Sequence, residues 1–290
     1  LELLLVESAN DAANVLAEHV GGSIESFVSM MNTKVHDLGL ENTHFTNPYG
    51  LHDENHYSTA YDLAMIMKYC IQNEHFRKLA GSASCAIPAT NKYGVRKYDS
   101  TNQLILPGNN YYYQYVTTGK TGFTTPAGEC LVSSAYKDNV ELICVILGGQ
   151  THNGVSSRFV ETKDLYEYGY NNYSLKNVVS KNDEIYQITV ENATNETKYL
   201  SLLAENDVTV LLENDKSVSE FTPNISLNND ISAPIYAGDI IGTAEYDINS
   251  LKYVVNLVAL HDVESTQFLN YIFYGIFTLM LIWIIICIFH

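Results

Sequence analysis

The stretch that decides the fold is Tyr113–Val132, YQYVTTGKTGFTTPAGECLV. Strand-forming residues lead directly into Lys120-Thr121-Gly122, and a second strand-like run follows them. On its own, the triplet has a purely structural explanation, in which an exposed lysine lies on an edge strand beside a bulge glycine. Alternatively, a cation and a glycine in mid-strand make sense if this strand forms one wall of a binding site.

A second short motif lies near the start of the chain, in LELLLVESANDAANVLAEHV, Leu1–Val20. An apolar helical segment is followed by a break at Ser8-Ala9-Asn10 and by a second helix with Asp11 in its first turn. Because Ser and Asn are preferred N-cap residues, capping alone explains the break. A Ser-x-Asn at a helix junction, followed about 110 residues later by Lys-Thr-Gly, also occurs in serine enzymes whose nucleophile lies in an earlier Ser-x-x-Lys.

The chain of 290 residues changes character once along its length. Up to about residue 173, helical patterns such as TAYDLAMIMKYCIQN alternate with strand-like runs such as VELICVILGG, which predicts a mixed α and β domain over 1–174. Over 175–265 the helical period disappears, and runs such as EIYQITV and LKYVVNLVAL alternate apolar and polar residues between turns. We therefore predict an α+β chain with a small, sandwich-like all-β domain that serves as a spacer.

The last part of the chain is uncharged and apolar on all sides. The segment 268–289, FLNYIFYGIFTLMLIWIIICIF, is about 22 residues long, and a helix of that length spans roughly 33 Å. It is predicted to be a transmembrane helix. The chain starts at Leu1 rather than methionine and ends at His290 without flanking basic residues, so we expect it to be a fragment cut at both ends.

Charge and metal-ligand spacing exclude other classes of function. The formal net charge of −17 argues against a nucleic-acid partner, which demands a basic face. The five cysteines show no metal-ligand spacing, and we interpret them as mostly small buried residues. His44, His52 and His56 flank a loop and form no helical i, i+4 pair, so we expect no metal and no cofactor.

Several segments in order resemble one family, the D-alanyl-D-alanine carboxypeptidases among the low-molecular-mass penicillin-binding proteins. The resemblance covers Leu1 to about Val263 and includes ESANDAA, MNTKVHDLGLENTHFTNPYGLHDENHYSTAYDLAMIM, STNQLI, GKTGFTTPAGECLVSSA and SRFVETKDLYEYGYNNY. It implies a penicillin-recognising, serine transpeptidase-like fold. It also implies that the Lys-Thr-Gly strand borders a cleft in which a substrate peptide lies as an added strand.

The resemblance implies a role for each residue of this strand. Lys120 supplies positive potential for the terminal carboxylate of the substrate and polarises Ser8, and Thr121 hydrogen-bonds the same carboxylate. Gly122 lets the substrate backbone come close, because a Cβ would obstruct it. The backbone N–H of Phe123 contributes to the oxyanion hole.

Residues outside the strand complete the implied site. Ser8 relays a proton to the leaving D-alanine, and Asn10 hydrogen-bonds the substrate backbone or the missing lysine. Arg158 either assists carboxylate recognition, for which a planar guanidinium is suited, or is an arginine near a helix start with an ordinary surface partner.

The nucleophile of the family belongs to a Ser-x-x-Lys about 60 residues before Ser-x-Asn, which would place it upstream of Leu1. Ser134-Ala135-Tyr136-Lys137 has the same spelling but is predicted to lie on a strand, where residues three apart point to opposite faces. We expect Ser134 to be a solvent-side strand residue rather than a nucleophile.

The resemblance implies a membrane-anchored enzyme that removes the terminal D-alanine from peptidoglycan stem peptides through an acyl-enzyme and is inhibited by β-lactams. Its catalytic domain would face the outside of the cytoplasmic membrane. The alternative is a non-catalytic relative that uses the fold to bind peptidoglycan or a partner. A β-lactamase fits less well, because the long segment between the two motifs, the all-β domain and the anchor all resemble carboxypeptidases.

Overall fold

The computed structural model describes residues 1–289, with the exception of the side chains of 267–271 and 285–289. The chain forms two compact units, of which the first is Leu1–Asn172 and the second begins at Tyr173. The first unit mixes helices and strands, and the second is built from strands and one 3-10 turn, Val218–Glu220, up to its last helix. The predicted combination of a mixed domain and an all-β domain is confirmed.

The helices of the first unit begin where the sequence supplies caps. Ser23 accepts a hydrogen bond from the backbone N–H of Ser26, and Thr59 accepts one from that of Asp62. Asn73 caps two backbone N–H groups in the same way. The α-helices of this unit are α1 Asn10–Gly21, α2 Ile24–Asp37, α3 Ala60–Cys70, α4 Glu74–Ala80 and α5 Ser157–Asn172.

A three-stranded antiparallel sheet carries the Lys-Thr-Gly triplet. Its strands are β3 Val116–Thr124, β4 Gly128–Lys137 and β5 Val140–Gly149, and they lie in the order β3-β4-β5. Two short hairpins accompany the sheet, formed by β1 Ser84–Ile87 with β2 Arg96–Asp99 and by β6 Thr151–His152 with β7 Val155–Ser156.

Helices pack on both faces of this sheet. On one face, Phe159 and Tyr166 of α5 pack with Leu131 and Ile146 in a buried cluster that also includes Tyr113. On the other face, the hydroxyl of Thr118 lies 3.8 Å from the Met67 sulfur of α3. The sheet is therefore buried on both sides while β3 is at its edge, where another strand can add.

The second unit contains a five-stranded antiparallel sheet and a two-stranded sheet. The larger sheet has the order β12-β13-β14-β10-β9, and the smaller one pairs β11 with β8. Its strands are β8 Tyr173–Val179, β9 Glu184–Thr189, β10 Tyr199–Ala204, β11 Val208–Glu213, β12 Asn224–Leu227, β13 Ile240–Ile248 and β14 Leu251–Ala259. Their alternating residues form one apolar core that includes Leu200, Leu202, Leu212 and Leu257.

The last helix, α6, is Thr266–Phe289. Among the residues that the structure describes, no helix is both long enough and apolar enough to cross a bilayer. The predicted span 268–289 falls partly outside the described side chains, which exclude 268–271 and 285–289.

Candidate active site

Ser8 lies at a sharp break between two helical segments. A π-helical turn over Leu3–Glu7 ends at Ser8, whose φ of 65° and ψ of 38° are left-handed. Such a conformation costs about 1–2 kcal/mol for a residue with a Cβ, and strained residues of this kind cluster at functional sites. The N-cap of α1 is Ala9, which makes no side-chain cap bond. Capping by Ser8 or Asn10 is therefore not what forms this break.

Lys120 joins the two motifs. Its Nζ donates a hydrogen bond to Ser8 Oγ at 2.5 Å, although the two residues are 112 positions apart, and a second one to the Thr121 carbonyl at 2.8 Å. Burial and, as the smaller cause, the positive charge of Arg158 together lower the pKa of Lys120 to about 8. The lysine therefore changes charge close to neutral pH, with its proton directed at the Ser8 hydroxyl.

The alternative of an exposed edge lysine beside a bulge glycine is wrong. Although β3 is an edge strand, Lys120 is partly buried against Ser8. The register shift between β3 and β4 falls between Val116 and Thr118 rather than at Gly122, which pairs regularly with Cys130.

Thr121 is held by a residue that sequence reasoning did not assign. Its hydroxyl donates to Thr101 Oγ1 at 2.6 Å, and the Thr101 backbone N–H donates to the Val6 carbonyl at 3.1 Å. Thr101 thus links the strand to the turn that carries Ser8. Thr101 lies in STNQLI, one of the segments that carry the family resemblance, but the sequence of that segment does not indicate the contact with Thr121.

Gly122 and Arg158 meet at the same strand. Arg158 Nη1 donates to the Gly122 carbonyl at 3.2 Å. A Cβ built on Gly122 would have the Cβ of Cys130 as its nearest neighbour, at an ordinary 3.8 Å. Packing within the described chain therefore does not require glycine here, and the open space is available to a ligand. The Phe123 side chain, 68% exposed, points away from the core.

A cavity of about 300 Å³ lies along this strand. The strand contributes Lys120, Gly122 and Phe123 to its lining, and the opposite lining includes Phe45 and His56. Two larger cavities, of about 510 and 500 Å³, are bordered by Leu1 and contain none of the predicted site residues, and a third, of about 480 Å³, has Phe123 but neither Ser8 nor Lys120 in its lining. We place the site at the 300 Å³ cavity because Lys120, whose Nζ bonds Ser8 Oγ, lines it.

The remaining predicted residues lie apart from this hydrogen-bond network. Asn10 is exposed at the start of α1. His44 Nδ1 lies 2.7 Å from the Asn55 carbonyl, and His56 Nδ1 accepts a hydrogen bond from the Thr46 N–H at 3.1 Å. Burial lowers the pKa of His56. These histidines stabilise the loop that borders the cavity.

Ser134 requires a correction. We predicted a solvent-side residue, whereas its exposed fraction is 0% and its Oγ lies 2.8 Å from Thr117 Oγ1. Ser134 pairs with Thr118, whose side chain faces α3, so helix packing buries this face of β4. The Nζ of Lys137 lies over the Tyr115 and Tyr170 rings instead of facing Ser134.

Two family models match the chain. The model described as D-alanyl-D-alanine carboxypeptidase matches residues 1–151, and the model described as penicillin-binding protein 5, C-terminal domain, matches residues 173–265. The first match contains Ser8, Lys120 and Thr101, and the second coincides with the strands of the second unit.

Named relatives agree with these matches. The chain is 31% identical over 245 residues to D-alanyl-D-alanine carboxypeptidase DacF of Bacillus subtilis, covering 84% of this chain and 60% of that protein. It is 30% identical to DacA of Haemophilus influenzae, covering 90% of this chain and 63% of that protein. The chain therefore spans about three fifths of the length of these curated relatives.

A solved structure shows the same fold. Penicillin binding protein 5 from Haemophilus influenzae superposes with a TM-score of 0.63 at 31% identity, covering 91% of this chain and 73% of that one.

Proposed function

The chain belongs to the D-alanyl-D-alanine carboxypeptidase family, and from this membership we propose that the full-length protein is a serine-type D-Ala-D-Ala carboxypeptidase. Its substrate is the peptidoglycan stem peptide, from which it removes the terminal D-alanine, and β-lactams inhibit it. The observation that carries this proposal is the hydrogen bond from Lys120 Nζ to Ser8 Oγ, which brings the two motifs into one site.

The reaction is acyl transfer in two steps. A serine hydroxyl, which the family supplies from Ser-x-x-Lys, attacks the carbonyl of the penultimate D-alanine, and the peptide C–N bond breaks. Ser8 passes a proton to the departing amine. Water then hydrolyses the acyl-enzyme ester and regenerates the serine.

The residues of this chain bind and orient the substrate. Protonated Lys120 and the Arg158 guanidinium, which bonds the Gly122 carbonyl, provide the positive charge that binds the terminal carboxylate of the substrate. Thr121 Oγ1 can turn from Thr101 to that carboxylate. The backbone N–H of Phe123 donates to the developing oxyanion. Asn10, exposed at the start of α1, hydrogen-bonds the substrate backbone or the lysine of the family's Ser-x-x-Lys.

A labelled penicillin tests the proposal. The full-length protein should form a covalent adduct and release D-alanine from a peptide ending in D-Ala-D-Ala. Ser134→Ala should keep the adduct, because Ser134 is buried beneath α3, whereas Ser8→Ala should slow its formation. If the full-length protein forms no adduct and releases no D-alanine, the non-catalytic alternative, a peptidoglycan-binding or partner-binding relative, replaces the carboxypeptidase.

We also propose that the protein is anchored in the cytoplasmic membrane by a single helix over 268–289, with the catalytic unit outside. The support for this anchor is the uncharged sequence of that segment. The second unit then serves as a spacer that lifts the site toward the cell wall. Protease added to wall-stripped cells should digest the catalytic unit. Complete protection of that unit with an intact membrane would contradict the proposed orientation.

A further inference from the structure

Glu129 is a charged residue of the site region that the mechanism above does not use. It lies on β4 opposite Phe123 and pairs with Gly149 of β5. Both oxygens of its carboxylate accept short hydrogen bonds, Oε1 from Thr151 Oγ1 and Oε2 from Ser156 Oγ, each at 2.6 Å. The two donors lie on β6 and β7, so one side chain fastens both strands of this hairpin to the central sheet.

The hairpin leads directly into the helix that carries Arg158. Ser157 N–H donates to the Gln150 carbonyl at 2.9 Å, and Gln150 N–H donates to Ser157 Oγ at 3.1 Å, which closes the base of the hairpin. The Ser156 N–H donates to the Tyr111 hydroxyl at 2.9 Å. The position of the first turn of α5 is therefore set by the hairpin that Glu129 holds.

Arg158 depends on this support, because its own contacts are few. Its Nη1 bonds the Gly122 carbonyl, while its Nε is buried without a hydrogen-bond partner among the described residues. Its guanidinium carbon lies 4.8 Å from the Phe159 ring centroid. An arginine with one hydrogen bond to the strand takes its direction mainly from the backbone that presents it.

The charge of Glu129 is compatible with this task. Partial burial alone would raise the pKa of the Glu129 carboxyl, but the hydrogen bonds from Ser156 and Thr151 and then the charge of Arg158 lower it below its ordinary value. Glu129 is therefore ionised at neutral pH. Its negative charge is compensated by two hydroxyl donors and by the Arg158 cation.

We propose that Glu129 is a positioning residue, which holds the β6–β7 hairpin so that Arg158 points at the carboxylate-binding end of the Lys-Thr-Gly strand. This inference rests on the proposed function in one respect, namely that Arg158 receives the terminal carboxylate of the substrate. The competing effect is repulsion, because the Glu129 carboxylate also repels the carboxylate of the substrate. The two effects change KM in opposite directions.

The kinetic test compares two substitutions of Glu129 in the full-length protein. Glu129→Ala removes both hydrogen bonds, so KM for a D-Ala-D-Ala peptide should rise about tenfold while kcat changes by less than about twofold. Glu129→Gln can keep both bonds, accepting from one hydroxyl and donating to the other, so its KM should stay within about twofold of the wild type. Glu41→Ala, which removes an exposed carboxylate elsewhere in the unit, is the matched control. A KM that is unchanged or lowered in Glu129→Ala would overturn the proposal.

A double-mutant cycle decides whether Glu129 acts through Arg158. In an Arg158→Ala background, Glu129→Ala should raise KM by less than about twofold, since residues that act through one contact are not additive. A full tenfold effect in that background would show that Glu129 acts independently of the arginine, and would contradict the positioning role.

Hydrogen exchange separates this proposal from the proposed function. Peptides covering residues 150–158 should exchange at least about tenfold faster in Glu129→Ala and in Thr151→Val/Ser156→Ala than in the wild type or in Glu41→Ala. If the wild type releases no D-alanine, the proposed function fails while this measurement still decides whether Glu129 holds the segment. Unchanged exchange in both variants would overturn the proposal whatever the activity is.

Discussion

The two units of the molecule bury very different side chains. Among the described residues, buried polar side chains belong to the first unit with the single exception of Ser201. Those of the first unit are Thr43, Asp62, Ser100, Asn102, Thr118, Thr121, Ser133, Ser134, Ser156 and Thr162. The core of the second unit is a continuous apolar cluster formed by alternating strand residues.

This difference indicates that the second unit is stabilised by apolar packing, whereas the first unit also positions polar groups for chemistry. Apolar burial stabilises a fold without directional requirements, whereas a buried polar network has to be satisfied atom by atom. The first unit has such a polar network, in which hydrogen bonds align Ser8, Lys120 and Thr121. It also contains the strained backbone at Ser8. The second unit has an apolar core, with no comparable buried polar network among its described residues.

The largest expected effect is on the stability of the second unit. Leu257→Ala removes a side chain with 0% exposure from β14 and should cost about 2–5 kcal/mol through lost packing and a cavity. Hydrogen exchange in peptides from β13 and β14 measures this loss. Leu251→Ala, on the same strand but 60% exposed, is the control and should change little. If Leu257→Ala also loses penicillin acylation, the stability of the second unit and the chemistry of the first are not independent.

The second-largest expected effect is on the acylation rate and not on stability. Lys120→Ala removes the cation that orients the carboxylate and bonds Ser8, so the acylation rate should fall on the order of 10² or more. Stability should be almost unchanged, because a partly buried lysine that is desolvated without a carboxylate partner contributes little net stabilisation. Lys97→Ala, which removes an exposed lysine on β2, should keep the wild-type rate. Near wild-type acylation by Lys120→Ala would break the link between the polar network and catalysis.

Backbone strain at Ser8 gives a smaller effect. Ser8→Ala and Ser8→Gly both remove the hydroxyl, but only glycine adopts the left-handed conformation without a Cβ penalty. Ser8→Gly should therefore be more stable than Ser8→Ala by roughly 0.5–1 kcal/mol in denaturant unfolding. Ala12→Gly, inside α1, should have the opposite sign because helix interiors disfavour glycine. If Ser8→Ala is more stable than Ser8→Gly, the backbone of Ser8 is not strained.

The smallest expected effect is a shift in pH dependence. Burial, followed by the charge of Arg158, lowers the pKa of Lys120 to about 8. If its protonated form binds substrate, kcat/KM falls as pH rises through about 8. Arg158→Ala removes the repelling charge and should move this fall to higher pH. A rise of kcat/KM with pH over the same range would indicate that neutral Lys120 is the active form.

The site could be predicted from sequence only in part. The two motifs identify Ser8 and Lys120, because residue types and spacing carry that information. Thr101 and Glu129 were missed. Their partners lie on other elements, and a single sequence does not show which hydroxyl or carboxylate will meet them.

By itself, the sequence determined the elements and their order. Apolar periods of 3.6 and 2 specify α1, α3 and the strands of the second unit, since these periods follow from local backbone geometry, and a continuous apolar run specifies β5. It also determined which residues of a strand share a face.

Only the tertiary structure decided which faces are covered and which distant groups meet. Ser134 was expected in solvent because period-2 alternation does not say whether a helix packs on that face, and α3 does. The left-handed turn at Ser8, its bond to Lys120 and the clamp of Glu129 on the hairpin before Arg158 depend on packing between segments far apart in the chain. Local propensity cannot encode such contacts, because they exist only when both segments are already in place.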